Sequence, residues 1–224
     1  MEYECLPPID LLVIDEFYKL SLKRIDERAD TLNNAFLKIV GKFKCKFYLL
    51  GPNIDGITPG FAEKYDAIFY KSDFSLVDCT VVDLSSDFNF SLTPRSLDKQ
   101  KLPRLYKLLY ELKNQQTLVY CSTPARARRF ARGYLEHLCE QGLKPNIQLP
   151  LIEWINKNIS PDWSLSKELS YGLAIHDGSL QKHIGASIIK YFNDGLLRCI
   201  FCTSTIIEGV NTSAKNVILF DGQK

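Results

Sequence analysis

Asp10-Leu11-Leu12-Val13-Ile14-Asp15-Glu16 is the stretch from which the fold is read. Residues 11–14 form an unbroken apolar run rich in β-formers. That pattern predicts a strand buried on both faces, the kind found inside a parallel sheet. Asp15 and Glu16 then fall at the carboxyl end of the strand, where open α/β sheets bind ligands. Two acids there suit a Mg-nucleotide site, one holding the hydrated metal and the other polarising the attacking water. An exposed acidic turn after a core strand is the plainer reading. Taken by itself the stretch leans that way, and the rest of the chain reverses the balance.

With 224 residues, 46% hydrophobic and 24% charged, the chain has the composition of a globular protein of one large or two small domains. A formal charge of +2 gives no compositional argument for nucleic acid. No run approaches the roughly 18 apolar residues that span a bilayer. The acidic start, Met1-Glu2-Tyr3-Glu4-Cys5, lacks the order of a signal peptide. A cytoplasmic protein is expected. Its seven cysteines form no disulfide framework and mostly lie in apolar segments, as free thiols do. Cys199-Ile200-Phe201-Cys202 has zinc-like spacing, but no second pair accompanies it. Residues three apart on a strand face opposite ways, so these two read as core thiols.

Further along, residues 29–40 carry a helical stripe that Gly41 could stop. Short strands are predicted at 47–50, 67–70 and 80–84, and a Gly/Pro-rich loop at 55–61. Residues 85–101 are polar and form the candidate boundary. Domains are therefore expected over 1–90 and 102–224, with a linker at 91–101. Beyond it come a helix at 102–112 and a strand at 117–121. A long helix at 125–141 follows, with Thr123 as its N-cap and Pro124 at its first position. Helices are expected at 147–158, 165–171 and 186–192, and strands at 172–175, 196–201 and 217–220. Residues 203–211 read as a loop with one turn. Strands alternating with helices imply a mostly parallel sheet. Asp15-Glu16, Gly51-Pro52-Asn53, Ser122-Thr123-Pro124 and Thr203-Ser204-Thr205 all follow apolar strands. Small hydroxyls, glycine and free N–H groups at helix starts are what phosphate oxygens need. Each loop taken singly is ordinary punctuation; their recurrence suggests a phosphate-binding rim.

In order and wording these residues resemble superfamily-2 helicases of the DEAD/DEAH-box type. Val13-Ile14-Asp15-Glu16 resembles the Walker B motif, and Gly51-Pro52-Asn53 falls where motif III lies. Leu118-Val119-Tyr120-Cys121-Ser122-Thr123-Pro124 resembles motif IV, and Ile175-His176-Asp177-Gly178-Ser179-Leu180 the segment after it. Cys202-Thr203-Ser204-Thr205-Ile206-Ile207-Glu208-Gly209-Val210-Asn211 resembles motif V and is the most specific match. The resemblance implies an α/β fold of two RecA-like parallel-sheet domains, both incomplete. The first lacks its P-loop portion and the second its C-terminal end. No Gly-x-x-x-x-Gly-Lys-Ser/Thr occurs in the sequence, no motif VI follows motif V, and Tyr18 stands at the fourth place of the Asp-Glu box. The chain thus resembles a portion of an ATP-dependent helicase or translocase, with flanking helicase domains as possible partners.

By that resemblance Asp15 would hold Mg²⁺ and Glu16 would orient the attacking water on ATP. Gly51, Pro52 and Asn53 would couple the nucleotide site to the second domain. Gly209 and Asn211 would face the nucleotide across the cleft. Ser122, Thr123, His176, Thr203 and Ser204 would touch single-stranded DNA or RNA. The chain by itself is expected to hydrolyse ATP at background. A degenerate module that binds nucleic acid or a partner without hydrolysis is the second reading. Arg126, Arg128, Arg129 and Arg132 read either as a phosphate-binding cluster or as a solvated helix face. Trp154 and Trp163 read as base-stacking or as core residues.

Overall fold

The structure, a computed structural model, describes residues 6–20, 27–52, 54–72, 74, 78–86, 88–207 and 211–221. It is an α/β protein whose sheets are parallel throughout the described residues. The chain forms two compact units, Met1–Val81 and Val82–Lys224.

In the first unit β1 (Leu11–Ile14) pairs in parallel with β2 (Lys46–Leu49), Leu11 opposite Lys46 and Ile14 opposite Leu49. The crossover is α1 (Glu27–Phe43). Its Phe36 packs edge-on to Phe47 with ring centroids 5.4 Å apart, and Phe61 and Tyr65 of α2 (Phe61–Tyr65) complete the aromatic cluster. Helix α1 runs through Gly41, and Lys44 at φ 46° turns the chain, so the expected glycine stop is not used.

Two expectations fail here. Strand β1 is not buried on both faces: Leu12 and Ile14 face α1, whereas Leu11 and Val13 are 57% and 53% exposed, as is Tyr48 beside them. Nor do residues 67–70 and 80–84 form strands. Ile68, Tyr70, Val81 and Val82 are exposed, and no ladder partner lies beside them among the described residues. β-propensity describes how well a side chain fits a pleated, half-buried surface, and here that surface is missing.

The second unit is built on a four-stranded sheet of order β4-β5-β3-β6, where β3 is Thr117–Tyr120, β4 Leu173–His176, β5 Cys199–Cys202 and β6 Asn216–Leu219. Strands β3 and β5 are wholly buried, as inner parallel strands should be. Alternate residues serve opposite faces. Val119, Leu173, Ile175, Cys199 and Phe201 pack with α3 (Pro94–Glu111) and α4 (Pro124–Glu140). Leu118, Ala174, Ile200 and Cys202 pack with α5 (Pro150–Asn158), α6 (Ser164–Ser170) and α7 (Lys182–Asn193). Cys199 and Cys202 therefore enter different cores, as their spacing predicts.

Helix α3 begins at Pro94 with Thr93 as its cap and belongs to the second unit, so most of the expected linker is helix. Its polar residues are there for a reason that sequence does not display: Asp98 is buried and ion-paired, as described below. Helix α4 starts as predicted, with Thr123 Oγ1 accepting the Arg126 N–H at 3.3 Å. Residues 204–207 make the single turn α8 (Ser204–Ile207). No helix among the described residues is long and apolar enough to cross a membrane.

Candidate functional site

All four strands of the second unit run the same way, so their carboxyl ends share one edge. The ladder extends past the strands there: the Cys121 N–H donates to the Cys202 carbonyl at 2.8 Å, the Thr203 N–H to the His176 carbonyl at 3.2 Å and the Phe220 N–H to the Tyr120 carbonyl at 3.2 Å. This edge brings together Ser122, Thr123, His176, Thr203 and Ser204. Asn211 is elsewhere. Its carbonyl accepts from the Asn193 side chain at the end of α7, beside Ser213, which bonds Gln116 just ahead of β3. Those contacts put Asn211 at the amino-terminal edge of the sheet. Gly209 lies outside the described residues.

The edge is a belt of arginines and aspartates. Asp221 accepts from the Ser122 N–H at 2.8 Å, the Ser122 hydroxyl at 3.0 Å, and Arg126 Nε and Nη2 at 2.8 and 2.6 Å. The far side of the same guanidinium grips Asp98 at 3.0 and 2.7 Å, and Arg129 also donates to Asp98. Arg128 donates to Asp177 at 2.8 Å. The Ser179 N–H and hydroxyl also bond Asp177. Lys101 donates to the Phe220 carbonyl and lies over the Phe220 ring.

These pairs shift the titrations. Burial by itself raises the Asp221 carboxyl, but Arg126 and Ser122 outweigh it and hold the group below the usual carboxylate range. Asp177 behaves alike, burial opposed and outweighed by Ser179 and Arg128. Burial lowers the His176 imidazole against the pull of Asp177. His176 Nδ1 is buried and has no hydrogen-bond partner among the described residues, and its Nε2 is 3.2 Å from where a side chain on Gly185 would begin.

The two sequence readings of the arginine cluster fare differently. Three of the four arginines are paired with Asp98, Asp177 and Asp221 and so are not a free phosphate cradle, whereas Arg128, Arg129 and Arg132 are exposed, as a solvated helix face would be. Arg132 is in none of the described ion pairs. The aspartates were missed because they lie 28 to 95 residues from their arginines, and no local spacing signals them. Thr203 is buried, its hydroxyl 3.3 Å from that of Thr205.

In the first unit β1 and β2 set Asp15-Glu16 beside Gly51-Pro52. The Leu50 N–H donates to the Ile14 carbonyl at 2.8 Å and the Phe17 N–H to the Leu50 carbonyl at 2.9 Å. Asn53 lies outside the described residues. A Cβ on Gly51 would stand 2.6 Å from Ile54 Cδ1 and 3.3 Å from the Phe17 ring, so a larger residue there would push the tip of Ile54 aside. Asp15 is exposed, and its Oδ1 accepts the Glu16 N–H at 2.8 Å. Glu16, at φ 55°, accepts from the Tyr18 hydroxyl at 2.7 Å and from Lys19. Mg²⁺ keeps several waters and takes one or two carboxylates plus phosphate oxygens. The exposed Asp15 fits that role, whereas Glu16 is already charge-paired. No group of three or more His, Cys, Asp or Glu among the described residues could hold a metal.

No protein-family model matches the chain. It is similar to Anti-bacteriophage protein B of Escherichia coli (strain K12), 34% identical over 230 residues. The match takes in 99% of this chain, which spans 30% of the length of that relative.

Proposed function

We propose that this chain is part of a nucleic-acid motor resembling superfamily-2 helicases, used in defence against bacteriophage. Its two units are read as RecA-like, the first contributing the acid pair and the second a strand-binding rim. One observation carries the reading. Five residues chosen from helicase-like motifs far apart in sequence, Ser122, Thr123, His176, Thr203 and Ser204, share the carboxyl edge of one parallel sheet. That edge is where open α/β sheets receive ligands. The printed name of the relative supplies the anti-phage context. ATP carrying Mg²⁺ would meet Asp15, with Glu16 beside it, once a phosphate cradle is supplied.

The second reading is a strand-binding module without hydrolysis. It is favoured by the absence from this sequence of any Gly-x-x-x-x-Gly-Lys-Ser/Thr. Both readings need the rim. Photo-crosslinking of iodouracil-bearing single strands, followed by mass spectrometry, tests it. Crosslinks are expected in peptides containing residues 122–123, 176–179 and 203–205. Crosslinks confined to other peptides would overturn the proposal.

A further inference from the structure

Next to the rim lies a cleft of about 450 Å³, formed by α4, the start of α6 and the start of α7. Ile175 and Ile184 contribute apolar lining, Trp163 and Ser164 come from the α6 end, and Arg128 and Arg132 come from α4. Asp162 adds one acid. Arg128 is committed to Asp177 and Ser179, which tie the cleft to the sheet edge. Arg132 is exposed, forms none of the described ion pairs and faces the buried Glu168 carboxyl on its inner side. The cleft thus joins a half-buried indole and an aliphatic wall to an exposed guanidinium.

A second observation is independent of the cleft's shape. Glu168 of α6 is fully buried, and among the described residues neither carboxyl oxygen has a partner at hydrogen-bonding distance and angle. The polar groups facing it are Ser164 and Arg132, and both line the cleft. Buried polar atoms are nearly always satisfied, so a carboxyl without such a partner behind two cleft-lining groups marks a polar complement left incomplete by the described residues.

We propose that this cleft binds one nucleotide of a single strand, the base against Trp163 and the aliphatic wall, the phosphate on Arg132. A nucleobase supplies the flat apolar face that the wall takes and N–H donors for the Ser164 hydroxyl, which lines the cleft in front of the buried Glu168. Phosphate matches the exposed Arg132 guanidinium, which binds it as a fork. The inference rests on the reading of the rim as strand-binding and adds a base pocket to it.

The test is fluorescence anisotropy of a labelled oligothymidylate with wild type and with Arg132→Ala, Arg132→Lys and Trp163→Phe. A Trp154→Phe background is added so that indole quenching reports Trp163. Arg132→Ala is expected to weaken binding about tenfold and to reduce the salt slope by about 1. Arg132→Lys should fall between, Trp163→Phe should retain most of the affinity, and the strand should quench Trp163. Unchanged affinity in Arg132→Ala with no quenching overturns the base pocket and leaves the rim reading standing. No strand binding by wild type overturns both. Quenching by adenosine monophosphate without any strand binding overturns the proposal in favour of a free nucleotide. Thermal melts establish that each variant is folded.

Discussion

Arg126 holds Asp221 at two points, Nε 2.8 Å from Oδ2 and Nη2 2.6 Å from Oδ1, and with its other edge holds Asp98. One guanidinium therefore ties the exit of β6, the start of α4 and the first turns of α3. The grip lies at the end of the sheet where the candidate strand-binding residues collect.

Removing that guanidinium leaves the largely buried Asp221 without its ion-pair partner and Asp98 with Arg129 alone. Arg126→Ala is expected to cost the second unit about 2–4 kcal/mol. Arg126→Lys should recover little, because a point charge cannot fork to two carboxylates. Urea unfolding followed by circular dichroism measures both; equal stability of Arg126→Ala and wild type would contradict the grip.

Glu168 gives a pH dependence of definite sign. Burial pushes its carboxyl up to about 7, Ser164 and Arg132 opposing only in part. The folded state holds this proton to higher pH than the unfolded chain does. The associated stability is full below the ordinary carboxylate value and is lost as pH rises through about 7. Glu168→Gln should flatten that decline and stabilise the protein above neutrality by about 1–3 kcal/mol. Melting temperatures taken from mildly acid to mildly alkaline pH test it; parallel curves for the two proteins would refute the assignment.

The uncovered face of the first sheet, with Leu11, Val13 and Tyr48 exposed, predicts self-association. Light scattering should show mass rising with concentration, and Val13→Lys with Tyr48→Lys should suppress the rise. A wild-type monomer at high concentration would count against it.

ATP hydrolysis by the purified chain is expected at background, since no P-loop sequence cradles the phosphates. A malachite-green assay with and without single strands reads this directly. Robust turnover abolished by Glu16→Gln would contradict the expectation and would show a complete site.

Much of the second unit was legible in sequence. The runs at Thr117–Tyr120 and Cys199–Cys202 read as buried strands, and Thr123-Pro124 marked the start of α4. Parallel alternation of strands and helices then implied which loops would share an edge. The first unit was less legible: apolar runs at 67–70 and 80–84 have the residues of strands but no ladder among the described residues, and Leu11 and Val13 of β1 are exposed. The polar chemistry of the edge was legible least. Asp98, Asp177 and Asp221 are set by tertiary packing, and a buried acid such as Glu168 looks in sequence like any surface glutamate on a helix.

The central claim, that the carboxyl edge of the second sheet receives a nucleic-acid strand, is tested most directly by titrating a labelled single strand with the wild-type chain and with Thr203→Val at several salt concentrations. The account predicts saturable binding by wild type that weakens steeply with salt, and a clear loss on Thr203→Val in a protein that still melts cooperatively. Absence of binding at low salt up to about 100 µM, or identical curves for the two proteins, would contradict it.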